Sequence, residues 1–344
     1  MADLIQDKAA LSLRIGGIAE ALAQSAGDDV ESVAATLSLA REAGVFELDD
    51  PVLALEATRA VGRFCASTAW ILAEHGEARR LLGGFPASAR EAVGRGLIVI
   101  ARGGEGASLS GDAIRGVSLS VGGLVHADWL LLTGVADASG QEGAALVPAG
   151  SARAAAAPYA YLGGLRGVGW QRVEIDALSV APGCWAPAAA FADRGLGANR
   201  LIGSLIGCAD GGYRDYVRMT RSRITGIGGA SVAGFTQVQA RLAESDAELG
   251  CATRLFDALA AGLDRDDDPR ARRDRAYMAH LALDAVTRLV RQMGAMGLSE
   301  SNPVQRRYRD LRTLAADAAF AWDDHMAGYG RALLGIGETV DVAV

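Results

Sequence analysis

The sequence predicts an α+β protein with a helical domain over residues 1–92, a β domain over 93–188 and a four-helix bundle over 189–344. Three observations support this order. Apolar residues recur at helical spacing before residue 92, short apolar or alternating runs fill the stretch from about 95 to 187, and helical spacing returns from Ala189 onward. The 44 glycines and 6% aromatic content indicate closely packed helices with small residues at their contacts.

Helical spacing is clearest in the amino-terminal segment at Leu11, Ile15, Ile18 and Leu22. The tripeptide Asp49-Asp50-Pro51 predicts the start of a further helix, because acidic residues precede a proline that fits the first helical turn. We expect that helix to run toward Cys65 and Trp70.

The middle segment contains five strand-like runs separated by glycine, aspartate and serine. They are GLIVIA (96–101), VSLSV (117–121), DWLLLTGV (128–135), GAALVPA (143–149) and QRVEIDALSV (171–180). The bundle is predicted from four helical segments near 192–222, 230–263, 270–297 and 303–334. Their breaks fall at Gly226–Gly229, at 264–274 and between Gly297 and Pro303.

Charge and motif content exclude several classes of function. A net charge of -7 argues against nucleic acid or an anionic membrane as a partner. The four cysteines contain no CxxC pair, and the four histidines lack carboxylates at ligand spacing, so we expect neither a disulfide framework nor a metal site. No apolar run reaches about 18 residues and the amino terminus is not signal-like, which predicts a cytoplasmic protein without a membrane span. P-loop, HExxH and GxSxG motifs are absent from the sequence.

Five stretches, in order along the chain, resemble the acyl-CoA dehydrogenase fold family, and within it the two-component flavin-dependent monooxygenases. They are CASTAW (65–70), GGLVHADWLLLTG (122–134), LRGVGWQRVEID (165–176), RQMGAMGLSESNPVQRRYRDLR (291–312) and YGRALLG (329–335). His126, within the second stretch, is either a hydrogen-bonded structural histidine or a residue at the cofactor edge.

The resemblance implies a homotetramer, a dimer of dimers, with FAD or FMN between the β domain and the bundle. It also implies that a neighbouring subunit completes each site, that the substrate is a small molecule, and that a separate flavin reductase can act as partner. The residues that the resemblance assigns to the cofactor are Trp70, Gly122, Gly123, Arg223, Gln239, Gly294 and Gly297.

Four of these residues have ordinary structural alternatives. Arg223 matches the family arginine that reaches a flavin phosphate across the subunit boundary, or it is a helix-end arginine that binds terminal carbonyls. Gly294 and Gly297 match a turn that lets the backbone approach the dinucleotide, or they form a simple interhelical turn. Gln239 matches a family glutamine, or it lies on an ordinary helix surface.

The sequence also departs from the family pattern at positions that carry chemistry. The glutamate base of the fatty-acyl dehydrogenases is replaced by Ala318, and the histidine of the hydroxylating branch corresponds to Ala316 and Asp317. The serine that contacts flavin in that branch is Gly122 here.

Asp317 is the candidate catalytic residue. Asp310 and Asp317 lie seven residues apart on the predicted last helix, and therefore nearly on one face. If that face lines the flavin slot, burial would raise the pKa of Asp317 and let it accept a proton. The alternative is a solvated or ion-paired aspartate. Asp310 is predicted to be a structural partner of a nearby arginine.

Three functions remain open from the sequence. The first is a monooxygenase that uses reduced FMN or FAD and O2 on a small cyclic or aromatic metabolite, which CASTAW and HADW favour. The second is a dehydrogenase or oxidase that acts on a CoA thioester through an unusual acid. The third is a subunit without its own chemistry in a mixed tetramer, which Gly122 and the missing base favour.

Overall fold

A computed structural model describes residues 2–102, 107–153, 156–158, 162–175, 177–192, 194–225, 228–263 and 268–336. Part of two predicted breaks, Gly226-Ile227 and 264–267, lies outside the described residues. Helices occupy both ends of the chain and strands the middle, as predicted. The amino-terminal helices are α1 (Ala2–Gly17), α2 (Ala19–Ser25), α3 (Val30–Glu42), α4 (Pro51–Gly62), α5 (Ala66–Leu82) and α6 (Ala87–Val93).

The helix predicted from Asp49-Asp50-Pro51 begins at Pro51, and the Asp50 side chain accepts a hydrogen bond from the Leu53 amide at 2.8 Å. It is shorter than predicted. α4 ends at Gly62, and the segment that contains Trp70 is the separate helix α5, which starts after Cys65.

The middle of the chain forms two sheets in the described residues. Their elements are β1 (Ile98–Arg102), β2 (Ser108–Ser110), β3 (Ala113–Arg115), β4 (Val117–Val121), β5 (Trp129–Ala136), β6 (Glu142–Pro148), α7 (Ala149–Arg153), β7 (Ala156–Pro158), β8 (Gln171–Ile175), β9 (Leu178–Ser179) and β10 (Trp185–Pro187). The first sheet has the order β10-β6-β5-β2-β3-β9, with β1 paired in parallel to β5, and the second has the order β4-β8-β7. The run QRVEIDALSV therefore gives two strands, β8 and β9, in different sheets.

The carboxy-terminal helices are α8 (Ile202–Ser222), α9 (Thr236–Ala261), α10 (Pro269–Gln292), α11 (Pro303–Leu314) and α12 (Trp322–Leu333). The predicted helix 303–334 is thus wrong. It breaks at a 3-10 turn, Ala318–Phe320, where the Asp317 carboxylate accepts the Ala319 amide hydrogen bond at 2.9 Å and caps the new turn. Asp310 and Asp317 therefore do not share the face of one helix.

Small residues let α4 and α8 approach each other closely, which confirms the packing predicted from composition. A Cβ atom added to Gly207 would lie 3.0 Å from Gly62 Cα and 3.0 Å from the Arg59 carbonyl carbon. The backbones of the two helices are therefore in direct contact there.

None of the helices in the described ranges combines the length and the apolar character needed to cross a bilayer.

The buried side chain of His75 links α5 to strand β1 of the first sheet. The Ile98 amide donates to Nδ1 at 3.1 Å, and Nε2 lies 3.1 Å from the Phe46 carbonyl oxygen. Because a carbonyl only accepts, Nε2 carries the proton and the ring is neutral. Burial lowers the pKa of His75 from 6.5 to about 4.

This low pKa predicts acid sensitivity. The unfolded chain takes up the proton near pH 6.5 and the folded chain only near pH 4, so the free energy of unfolding falls as the pH drops through this window. We expect the His75 share of the loss to reach about 3 kcal/mol at pH 4. Urea unfolding at pH 7 and pH 4 measures it. The His75→Gln variant should lose this share of the pH dependence. The control variant His280→Gln should keep it, because His280 is half-exposed. Equal acid sensitivity in wild type and both variants would contradict the low pKa of His75.

Candidate functional site

Trp70, in α5, packs against Gly122 and Trp170, which directly follow β4 and precede β8 of the second sheet. Its indole contacts that of Trp170, with 5.1 Å between ring centroids. A Cβ atom on Gly122 would lie 2.6 Å from Trp70 Cη2, so Trp70 fills the space that a side chain at position 122 would need. Gly123, with φ of +76°, is buried against Val99 and Ile71. Both glycines thus pack against protein rather than border an open slot.

Three charged side chains of alternating sign, Glu74, Arg200 and Asp317, pair in that order. Glu74 lies one helical turn after Trp70, on the same face of α5. Glu74 is only 1% exposed, and its Oε1 accepts a hydrogen bond from Arg200 Nε at 2.7 Å. The Arg200 guanidinium also lies 3.6 Å from the Asp317 carboxylate. Asp317 is therefore ion-paired, as its alternative predicted, and Arg200 and Glu74 connect it to the helix that carries Trp70.

Glu77 adds a second buried carboxylate to this region. It accepts a hydrogen bond from the Leu196 amide, in the segment that leads into α8. Burial raises the pKa of Glu77 above its usual value, and the Leu196 hydrogen bond and Arg200 oppose that rise. Glu77 is therefore a buried carboxyl group with a raised pKa that shares Arg200 with Glu74 and Asp317.

Three buried polar atoms around this junction lack a hydrogen-bond partner within the described part of the chain: Trp170 Nε1, Asn199 Nδ2 and Glu74 Oε2. The first two are donors and the third is an acceptor. Buried polar atoms are nearly always satisfied in native proteins, so unsatisfied ones indicate a place for a ligand or bound water. We call this group the Trp70 site and define it as Trp70, Glu74, Trp170, Asn199, Arg200 and Asp317.

Sequence reasoning missed four members of the Trp70 site: Glu74, Trp170, Asn199 and Arg200. One signal was available for Glu74, because a charged residue one turn after a tryptophan interrupts an otherwise apolar helix face. No local pattern could have paired Glu74 with Arg200, since 126 residues separate them.

The other predicted cofactor residues gather near the carboxy-terminal end of α10. Arg223 follows α8 and donates to the Met293 carbonyl at 3.2 Å, as its helix-end alternative predicted. Gly294 has φ of +60° and open space at its Cβ position, whereas a Cβ on Gly297 would lie 2.5 Å from the Val290 carbonyl oxygen. Gln239 donates to the Ala233 carbonyl at 2.9 Å from an exposed position near the start of α9.

These two groups lie at opposite ends of α10. Asn199 of the Trp70 site accepts a hydrogen bond from Arg275, near the start of the helix, and Arg223 contacts Met293 just beyond its end. The helix rises about 27 Å between Arg275 and Met293, at about 1.5 Å per residue. The predicted cofactor residues therefore do not form one site within a single chain.

Asp310 has a structural role, as predicted, but its hydrogen bond joins it to a backbone amide. It accepts a hydrogen bond from the Leu165 amide at 2.7 Å, and Leu165 adopts the left-handed conformation. Burial raises the pKa of Asp310 to about 6. Arg307 of the same helix donates instead to the carbonyls of Gly62 and Arg63. Arginines therefore lie near Asp310, where the charges of Arg307 and Arg306 oppose the rise of its pKa, but its hydrogen bond comes from the Leu165 amide.

His126 is hydrogen-bonded through Nε2 to the Gly167 carbonyl at 3.0 Å, which agrees with the structural alternative. Burial lowers the pKa of His126.

Comparison with known proteins extends the similarity over nearly the whole chain. A pigment production hydroxylase from Rhodococcus sp. (strain ATCC 21145) is 28% identical over 335 residues, which cover 85% of this chain and 84% of the relative. The oxygenase component of the FADH2-dependent resorcinol hydroxylase from Rhizobium sp. (strain MTP-10005) is 30% identical over 155 residues, 40% of this chain and 38% of the relative.

Among solved structures, XiaF from Streptomyces sp., in complex with FADH2 and glycerol, superimposes with a TM-score of 0.82 at 18% identity and 99% coverage of both chains. Residues 202–322 match the family model described as acyl-CoA dehydrogenase, C-terminal domain. These relatives confirm the resemblance found in the sequence. The chain has an acyl-CoA dehydrogenase-like fold, and residues 202–322 are similar to the acyl-CoA dehydrogenase C-terminal domain.

Proposed function

We propose that the chain is the oxygenase component of a two-component flavin-dependent monooxygenase. It takes reduced FMN or FAD from a separate flavin reductase and uses O2 to oxygenate a small aromatic metabolite. The observation that carries the proposal is the similarity to a hydroxylase over 85% of the chain. The Trp70 site supports it with aromatic surfaces beside unsatisfied polar atoms, the combination that a small aromatic ligand requires.

The residues of the Trp70 site fit a flavin ring, which is a flat apolar plate with a polar edge. Trp70 and Trp170 offer aromatic surface, and the unsatisfied donors Trp170 Nε1 and Asn199 Nδ2 suit the acceptor atoms of that edge. A bound reduced flavin supplies the electrons that activate O2. The protein's task is to orient the substrate and to exclude water, and the aromatic pair of Trp70, which is buried, and Trp170, which is partly buried, serves the second purpose.

Asp317 remains our candidate for the residue that holds a substrate proton. Its side chain is 32% exposed, so it is the acid of the Trp70 site that a substrate reaches most easily, and Arg200 fixes its position. Asp317→Asn keeps the shape and removes the charge. We expect turnover to fall by about 10²-fold or more, the usual contribution of a positioned proton acceptor, while reduced flavin still binds. Unchanged turnover would contradict this role.

Arg223 is proposed to bind the flavin phosphate of a neighbouring subunit. One flavin cannot span the distance between the Trp70 site and Arg223, since only a short ribityl chain separates its ring from its phosphate. We therefore propose a homotetramer, a dimer of dimers, in which each chain donates Arg223 to another chain's site. Exposed apolar side chains near Arg223, including Ile224 and Leu298, give a second copy a surface to cover.

Loss of the proposed contact between Arg223 and the flavin phosphate should weaken the binding only of flavins that carry a phosphate. We expect Arg223→Ala to raise the Kd for FMN about tenfold or more, because a charge-assisted hydrogen bond is lost. The Kd for riboflavin, which lacks the phosphate, should not change. Fluorescence titration measures both, and a parallel loss for both flavins would contradict the phosphate role.

A reduced-flavin assay tests the proposed function. Chemically reduced FMN or FAD is mixed with the purified chain, O2 and a panel of phenols that includes resorcinol, and products are identified by mass spectrometry. Hydroxylated product that depends on reduced flavin supports the proposal. Flavin that bleaches on addition of an acyl-CoA would instead support the dehydrogenase, and a chain that takes up no flavin would support the structural subunit.

A further inference from the structure

A cavity of about 720 Å³ lies between α4, α8 and α9, and none of its lining residues belongs to the Trp70 site. Five arginines and two aspartates line it, so its wall carries a surplus of positive charge in a chain whose net charge is -7. We call it the arginine cavity, after Arg59, Arg63, Arg214, Arg218 and Arg221. A cavity of this size accommodates a small organic ligand.

The arginines converge on the cavity from two helices. Arg59 in α4 and Arg63 directly after it are one helical turn apart, and Arg214, Arg218 and Arg221 recur at spacings of four and three along α8. Residues at these spacings lie on one face of a helix, where like charges repel each other. The arrangement therefore lowers the stability of the free chain, and an anionic ligand would offset that loss.

Arg59 offers hydrogen-bond donors that the protein leaves unused. Its guanidinium lies over the Phe256 ring, 5.0 Å from the centroid, and its side chain is only 19% exposed. The two carboxylates that pair with it, of Glu56 and Asp257, are both 3.7 Å away, which is longer than a hydrogen bond. Its buried Nε has no hydrogen-bond partner in the described part of the chain. An unsatisfied buried donor indicates a place for an acceptor from outside the chain.

The two aspartates of the cavity do not neutralise its arginines. Asp210 is shared, because Arg63 Nε lies 2.5 Å from its carboxylate and Arg214 Nε donates to both of its oxygens at 3.1 Å. Asp246 accepts a hydrogen bond from the Tyr213 hydroxyl, and burial together with this bond raises the pKa of Tyr213. One carboxylate thus serves two guanidinium groups, and the other serves a phenol.

The rest of the lining is apolar or aromatic. Ile206, Val217 and Leu249 contribute aliphatic surface, and Tyr213 contributes a ring. Gly250 adds no side chain, and a Cβ atom at its position would have only the end of the flexible Arg254 side chain within 4 Å, at 3.7 Å. A ligand that fills the arginine cavity therefore needs an anionic group and a flat or apolar body.

We infer that the arginine cavity is a binding site for a nucleoside diphosphate, separate from the flavin. Guanidinium groups bind phosphate oxygens through paired, charge-assisted hydrogen bonds. The row from Arg214 to Arg221 extends about 10 Å along α8, at about 1.5 Å per residue, which is enough for two phosphate groups. The nucleoside then packs against Tyr213 and Leu249. The inference does not depend on the proposed function, because it uses neither the Trp70 site nor Arg223.

The test titrates ADP into the full-length chain by isothermal titration calorimetry, without flavin and again with excess FMN. Wild type should bind ADP at least about tenfold more tightly than inorganic pyrophosphate, which lacks the nucleoside, or adenosine, which lacks the phosphates. Excess FMN should leave the affinity for ADP unchanged. Arg59→Gln should weaken ADP binding about tenfold or more, because a charge-assisted contact is lost. The control variant Arg241→Gln should bind like wild type, because Arg241 is an exposed arginine of α9 outside the cavity.

Asp210→Asn provides a second test that does not depend on the folding of Arg59→Gln. Asparagine keeps the shape of the side chain but releases the charges of Arg63 and Arg214 to the ligand, so ADP should bind about threefold or more tightly. A merely structural role of Asp210 would not produce this gain. The inference would be overturned by a wild-type chain that does not bind ADP, by displacement of ADP with FMN, by equal affinities for ADP and pyrophosphate, or by unchanged or weaker ADP binding in a folded Asp210→Asn.

Discussion

Arg200→Met should lower the free energy of unfolding by about 3–5 kcal/mol, the largest loss that we expect from a single change in the Trp70 site. Arg200 contacts both Glu74 and Asp317, and Glu74 is 1% exposed. Without the guanidinium, the buried Glu74 carboxylate loses its hydrogen-bonded cation and keeps only a weak pairing with Arg102, which is 57% exposed and lies 3.8 Å from its other oxygen. Urea unfolding followed by circular dichroism measures the loss.

The control for this experiment is Arg218→Met. Arg218 pairs with Asp215 on the same helix, but its side chain is 71% exposed, so its loss should cost less than about 1 kcal/mol.

Replacing both members of the buried pair, in Glu74→Leu with Arg200→Met, should recover much of the stability that the single change removes. A double variant that is no more stable than Arg200→Met would contradict the account of a buried pair.

Gly207→Val should be similarly disruptive at the contact between α4 and α8. The added Cβ would lie 3.0 Å from backbone atoms of Gly62 and Arg59, and backbone atoms cannot rotate away as a flexible side chain can. The two helices must separate, and we expect a loss of about 3 kcal/mol.

The matched control for Gly207→Val is Gly330→Val in α12. No atom lies within 4 Å of the Cβ position of Gly330, and its φ is not positive. The same substitution there should change stability by less than about 1 kcal/mol. Melting temperatures of the two variants measure the difference, and equal shifts would show that helix propensity rather than the backbone contact decides.

Local signals account for the elements that the sequence predicted well. The acidic residues before Pro51 mark a helix start because a side-chain cap and a fixed φ act within one turn. The apolar runs of the middle segment became strands for the same reason, since their pattern is local. The domain boundaries that we drew from these patterns stay predictions.

The break between α11 and α12 could not be predicted in the same way. Apolar spacing continues across it, and no glycine or proline interrupts the stretch from 304 to 327. The turn depends on the Asp317 cap and on Arg200, which comes from a distant part of the chain. The helical spacing therefore predicted that Asp310 and Asp317 share one helix face, whereas Asp310 lies in α11 and Asp317 caps the turn that follows it.

The sequence showed that Gly122 stands where the hydroxylating branch has a serine, but it did not show why. Trp70 occupies the space of the missing side chain, and that contact joins residues 52 positions apart. For the same reason, the charged members of the Trp70 site were outside the reach of motif reasoning. The cofactor roles of Trp70, Gly122, Gly123, Arg223, Gln239, Gly294 and Gly297 stay predictions.

The source of the oxygen atom in the product tests the central claim most directly. Hydroxylation with reduced flavin is carried out under oxygen-18 gas in ordinary water, and again under ordinary O2 in oxygen-18 water. We expect one labelled atom in the product from the gas and none from the water. Label that enters from water, or an oxidised product that contains no new oxygen, would contradict the assignment of this chain as a monooxygenase.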